Sequence, residues 1–253
     1  MLLVVAALGA SVLFLAHMAP FPFVLEGLRR GDSMWHAPAD PAAPAVYLTF
    51  DDGPNPAATP MLLDVLKSEG VSATFFLIDA HLTPDTAPIV RRMFEEGHAV
   101  ALHSNERWLM LGSAGRIADR LREAADRIEQ LAGSRPCALF RPHAGWRSSE
   151  MYSALDLLGY RLAGWSWGLW DWNWWQLRDG AALAERLARR ANDGDIIVIH
   201  DGHHIDPQPD RRYAIDATAR LVPAFRARGL RVERLPCNPS VPIADQDPNS
   251  GSS

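Results

Sequence analysis

The feature that most constrains this chain is a regular alternation of short apolar runs with helical stretches, sustained from residue 46 to residue 235. Candidate strands lie at Val46–Phe50, Ala73–Ile78, Ala99–His103, Ala138–Phe140, Arg161–Trp167, Ile196–Ile199 and Arg231–Leu235. Helical patterns separate most of them, at Pro60–Glu69, Ala87–Glu96, Ser113–Leu131, Ser148–Leu158, Gly180–Ala191 and Ala214–Arg228. Several helices are expected to stop at a glycine (Gly70, Gly97, Gly133, Gly159, Gly229), the residue that best tolerates a left-handed C-terminal cap. Seven strands separated by six helices predict a parallel sheet with helices outside, either an incomplete (β/α) barrel or an open doubly wound sheet. At 48% apolar and 22% charged, the 253 residues can bury a full core, which excludes a disordered or collagen-like chain.

The flanks read differently. Leu2–Ala16 is almost pure hydrocarbon, and no Asp, Glu, Lys or Arg occurs before Glu26. Residues 1–25 are therefore expected to be a membrane anchor or signal peptide, making the protein membrane-anchored or exported to the cell envelope, with its orientation left open. Residues 26–45, rich in Ala, Pro, Asp and Gly, read as a linker, 46–236 as one globular domain and 237–253 as a flexible tail. The formal charge of −5 gives no basic face for nucleic acid. Two cysteines, Cys137 and Cys237, exclude a disulfide scaffold and a Cys-rich zinc site, and both are expected to be free thiols.

Polar residues in otherwise apolar surroundings mark a site. Asp51 and Asp52 follow the first strand, His103 ends the third and Arg141 follows the fourth. Asp171 lies beyond the fifth, and His200 with Asp201 follows the sixth. In a parallel β/α fold the C-terminal strand ends converge on one face, where such folds place their chemistry. Charged residues often cap single strands. Five strands carrying one in register point to a shared site. In Thr49–Pro54 (TFDDGP), adjacent carboxylates leave a strand pointing different ways, so one can ligate a metal while the other acts as a base toward water.

TFDDGP, together with Phe140–Arg147 (FRPHAGWR), Trp170-Asp171-Trp172 and Val198-Ile199-His200, resembles the motifs of the polysaccharide deacetylases of carbohydrate esterase family 4. The resemblance runs from about Tyr47 to about Leu235 and implies a distorted seven-stranded (β/α) barrel. It implies Asp51 as catalytic base, Asp52 and His103 as ligands to a divalent ion such as zinc, and Arg141 as the group that orients the base. Asp171 would pair with Arg141, Trp172 would wall the groove, His200 would protonate the departing amine and Val198 would line the acyl pocket. The implied activity is removal of an acetyl or formyl group from the nitrogen of an amino sugar in a glycan or glycolipid.

One position departs from the pattern. The family carries a second histidine four residues after the first, and here that residue is Arg107, which has no lone pair to give a metal. His143 is the first-choice replacement ligand, and Glu106, His203 and His204 are further candidates. Arg107 itself suits an anionic group on the substrate. The departure also opens an alternative, a noncatalytic glycan-binding domain with a degenerate metal site. Six of the nine tryptophans fall between Trp165 and Trp175. Trp165 and Trp167 are expected in the core, whereas Trp170 and Trp172 lie past the strand end, where sugar faces can stack on indoles.

Overall fold

The computed structural model describes residues 2–16, 33–106, 108–168 and 179–237. Helix α1 (Leu2–Ala16) is uncharged, and among the described residues no helix is long and apolar enough to cross a membrane. The rest of the chain runs β1 (Ser33–Met34), β2 (Ala45–Gly53), α2 (Thr59–Ser68), β3 (Thr74–Ile78), α3 (Ala87–Glu95), β4 (Ala99–His103), α4 (Ala114–Ala132) and β5 (Leu139–Arg141). It continues with α5 (Ser149–Leu158), β6 (Arg161–Ala163), β7 (Trp167–Gly168), α6 (Gly180–Arg190), β8 (Ile196–His200), α7 (Arg212–Ala227) and β9 (Arg231–Glu233). All five glycines expected to stop helices take positive φ, between 62° and 79°.

The strands form one sheet in the order β1-β6-β5-β4-β3-β2-β8-β7, with β9 beside the start of β2. Every pairing between these strands is parallel. The stretch 161–167, expected to be one strand, is divided. Its first part pairs with β5 and its last part with β8, at the other end of the order, so the sheet is rolled into a distorted barrel and is not an open one. The division falls at Gly164, where any Cβ would collide with the Trp35 ring. Gly164 donates its N–H to Met34 (2.8 Å), and two residues later Ser166 donates to Ile196 (2.8 Å).

Two apolar layers follow from strand alternation. Leu48, Phe50, Phe75, Leu77, Leu102 and Ile199 point outward against the helices. The intervening positions, including Phe76, Ala101, Leu139, Ala163 and Ile196, fill the barrel interior. Met34 and Ala37 join that inner layer, so the second half of the expected linker is part of the domain.

Cys137 and Cys237 are not free thiols but form a disulfide, with Cα atoms 4.8 Å apart. After β9 the chain crosses the N-terminal end of the barrel. There Leu235 is buried in the inner layer and its N–H donates to Thr74 Oγ1 (2.8 Å). That crossing delivers Cys237 beside Cys137, ahead of β5. Residues 238–253, expected to be a flexible tail, lie outside the described residues.

Candidate active site

The alternation that turns Phe50, Leu102, Phe140 and Ile199 outward turns their neighbours Asp51, His103, Arg141 and His200 into the mouth of the barrel. Strand register sets them side by side: Asp51 lies opposite His200, and His103 lies opposite Arg141. One step deeper, Val198 lies opposite Thr49, completing a wall beneath the polar ring.

Arg141 is wholly buried and spans the interior. Its Nη1 donates to Asp51 Oδ1 (2.5 Å) and Thr49 Oγ1 (2.8 Å). Nε donates to the carbonyl of Ala163 (3.1 Å), Nη2 donates to that of Gly164 (2.8 Å), and the guanidinium lies 3.9 Å from the Phe76 ring centroid. Asp51, only 3% exposed, therefore has one oxygen, Oδ1, fixed by a charge-assisted bond.

Asp52 is built differently. Its backbone is left-handed (φ 71°), which breaks the strand alternation, and its carboxylate faces His103. Its Oδ1 is buried without a well-formed hydrogen bond, and His103 Nε2 stands 3.2 Å from it. The opposite ring nitrogen of His103, Nδ1, lies 2.6 Å from the Arg141 carbonyl and must donate to it. In the neutral ring Nε2 then carries a lone pair facing a carboxylate oxygen, an arrangement that calls for a cation. Burial alone raises the pKa of Asp52, but the neighbouring His103, with His200 and His143, holds it well below the ordinary carboxylate value. Burial presses His103 down, but Asp52 and Asp51 outweigh it and raise its pKa.

An oxygen and a nitrogen bound to one ion at about 2.0–2.1 Å and a roughly tetrahedral angle stand about 3.3 Å apart. The Asp52–His103 pair meets that spacing with donor types that suit zinc and its neighbours. Among the described residues no third ligand-type side chain completes a cluster of three. His143, on the turn after β5, packs its ring 4.9 Å from that of His204, and His203 packs 4.4 Å from His204. Glu106 is committed to Arg120 (2.7 Å). Arg107, Trp170, Asp171 and Trp172 lie outside the described residues.

Of three further contributors, Gly202 and His81 carry no functional signal in the sequence, and Asp201 is marked only by its place at the strand end. Gly202 packs so closely on the Asp52 carbonyl that no Cβ fits between them, and its N–H donates to Asp51 (3.3 Å). Asp201, next to His200, accepts from Thr59 Oγ1 (2.5 Å), and its carbonyl accepts from Asn55 Nδ2 (2.9 Å). Burial, helped by the charge of Asp52, pushes the Asp201 pKa up to about 7 against the opposing effects of Thr59 and Arg211. His81 donates from Nδ1 to the carbonyl of Asp52 (3.1 Å).

The family model described as polysaccharide deacetylase matches residues 39–163. The chain is similar to a chitooligosaccharide deacetylase of Sinorhizobium fredii, 34% identical over 206 residues that cover 78% of this chain and 92% of that one. It is 27% identical over 188 residues to a peptidoglycan-N-acetylglucosamine deacetylase of Bacillus cereus, covering 74% and 84% of the two chains. The solved structure of the peptidoglycan deacetylase PdaC from Bacillus subtilis superposes with a TM-score of 0.65 at 30% identity, covering 78% of this chain and 90% of that chain.

Proposed function

The chain belongs to the polysaccharide deacetylase family, and from that premise we propose that it hydrolyses the N-acyl group, acetyl or formyl, of an amino sugar in a glycan or glycolipid. The family's hydrolases act on carbon–nitrogen bonds other than peptide bonds, and the relatives named above act on chitooligosaccharide and peptidoglycan. The observation that carries the reading is the pair of adjacent carboxylates in opposite surroundings, Asp51 locked to Arg141 and Asp52 facing His103.

In this reading Asp51, with Oδ1 held by Arg141, takes a proton from the attacking water on Oδ2. The guanidinium holds the base fixed in direction until the proton arrives. Asp52 and His103 would hold a divalent transition metal, its remaining positions left to water. When bound, such an ion supplies Lewis acidity toward the amide carbonyl and toward water. As the C–O bond forms and the C–N bond breaks, His200 gives its proton to the departing amine. Val198 lines the floor beneath the acyl group. Asp171 pairs with Arg141, Trp170 and Trp172 stack on the sugar, and Arg107 grips an anionic substituent. Residues 1–25 tether the domain to a membrane or export it.

The departure at Arg107 favours a second reading, a noncatalytic glycan-binding domain. Acetate release from N-acetylglucosamine oligomers by the purified chain, after chelation and then with zinc, cobalt, nickel or manganese, separates the two. Release that disappears on chelation and returns with metal is expected. Oligomer binding without acetate release under any metal would establish the binder.

A further inference from the structure

A residue with a side chain seldom adopts positive φ, so something must hold Asp52 at 71°. Its carbonyl is the handle. Gly202 packs against that oxygen, and His81 Nδ1 lies 3.1 Å from it. A carbonyl only accepts, so Nδ1 carries the hydrogen and donates. His81 is itself buried and fixed at the end of a short turn, Asp79–His81, whose last carbonyl accepts from Thr86 Oγ1 (2.9 Å). At the start of the same turn Asp79 receives two bonds from Arg120 (2.7 and 3.2 Å), and Arg120 also grips Glu106, in the loop after His103. One turn thus holds the main chain of Asp52 at one end and the loop of His103 at the other.

We propose that His81 is a positioning residue. Through its Nδ1–H it keeps the Asp52 main chain left-handed and the Asp52 carboxylate facing His103. The proposal rests on the reading of Asp52 and His103 as an ion-holding pair. His81 joins no cluster of three ligand-type side chains among the described residues, so its influence runs through the backbone. Groups that orient metal ligands typically change ion affinity 10–100-fold when removed.

The test compares His81→Ala with His81→Asn in the full chain, because the asparagine amide places an N–H close to where Nδ1–H stood. Zinc affinity by titration calorimetry is expected to fall about 10–100-fold in His81→Ala. His81→Asn is expected to stay within about threefold of the parent, even where the two variants share a lowered melting temperature. Equal affinity losses in both variants, or no loss in either, would overturn the proposal. A parent chain that takes up no zinc would defeat the metal reading, and crystal structures of the variants then decide the positioning role alone. Asp52 leaving positive φ in His81→Ala but keeping it in His81→Asn supports the proposal, and Asp52 unmoved in His81→Ala overturns it. If His81→Ala does not fold, His81→Asn decides alone: parent-like affinity and φ support the proposal, and their loss overturns it.

Discussion

Arg141 is a cation with no exposed surface, and among the described residues Asp51 is the carboxylate paired with it. Asp51→Asn therefore removes both a proton acceptor and a buried counter-charge. Turnover is expected to fall by about two to four orders of magnitude. Stability is expected to drop by about 3–5 kcal/mol, the usual penalty for leaving a buried charge uncompensated. Acetate release normalised to folded protein, with urea melts of the same samples, checks both losses, and parent-like turnover in the folded variant would remove Asp51 from the role of base. Asp51, His103, Arg141 and His200 were legible in the sequence because strand ends of one parity must share a barrel mouth, and Asp52 was legible as the second acid of the DDG turn. The conformation of Asp52 was not. A DDG turn suggests that glycine takes the left-handed position, but Gly53 is there because a Cβ would come within 2.7 Å of Asp201 Oδ2. His81 was equally silent, since a histidine that works through a neighbour's carbonyl leaves no spacing to recognise.

At the level of elements, the alternation of apolar runs and helices located the strands well, because the central strands β2, β3, β4, β5 and β8 are buried on both faces and helices α2 to α7 on one. The break at Gly164 was hidden, since Arg161–Trp167 is apolar enough to read as one strand and the partner that forces the break, Trp35, sits 129 positions earlier. The disulfide was hidden for a related reason: its pairing depends on the path of the chain after β9. It closes a loop of about 100 residues at the barrel end opposite the candidate site, and cross-links of that kind typically contribute about 2–4 kcal/mol. Replacing Cys137 and Cys237 together by serine is expected to lower stability by about that amount while leaving acetate release unchanged. Denaturant melts with and without reductant check the first part. A loss of turnover in folded variant would show that the two ends of the barrel communicate.

At the scale of the whole molecule, a histidine buried away from the mouth contributes to its response to pH. His98 lies ahead of β4, and its Nδ1 accepts from the N–H of Ala73 (3.1 Å). Burial, with Arg92 and Arg234 adding and Glu96 opposing, lowers its pKa from 6.5 to about 4. Between those values the unfolded chain binds the proton and the folded chain does not. The contribution of His98 is therefore complete above pH 6.5 and is lost as the pH falls toward 4. His98→Asn keeps an acceptor for Ala73 but does not titrate, so it is expected to lose less stability than the parent between pH 7.5 and pH 4.5. Chemical denaturation at the two pH values measures the difference, and equal losses would place the acid sensitivity elsewhere. The rolled sheet has a further consequence, in time and not in space. β2 carries both carboxylates and pairs on one side with β3, which follows closely, but on the other with β8, almost 150 residues later. A ribosome delivers those partners in order. Until β8 emerges, β2 is an unpaired sheet edge, a template for wrong partners. Asp51 comes into register with His200 only once β8 has emerged, long after β2 to β5 and the pairs they carry have been made.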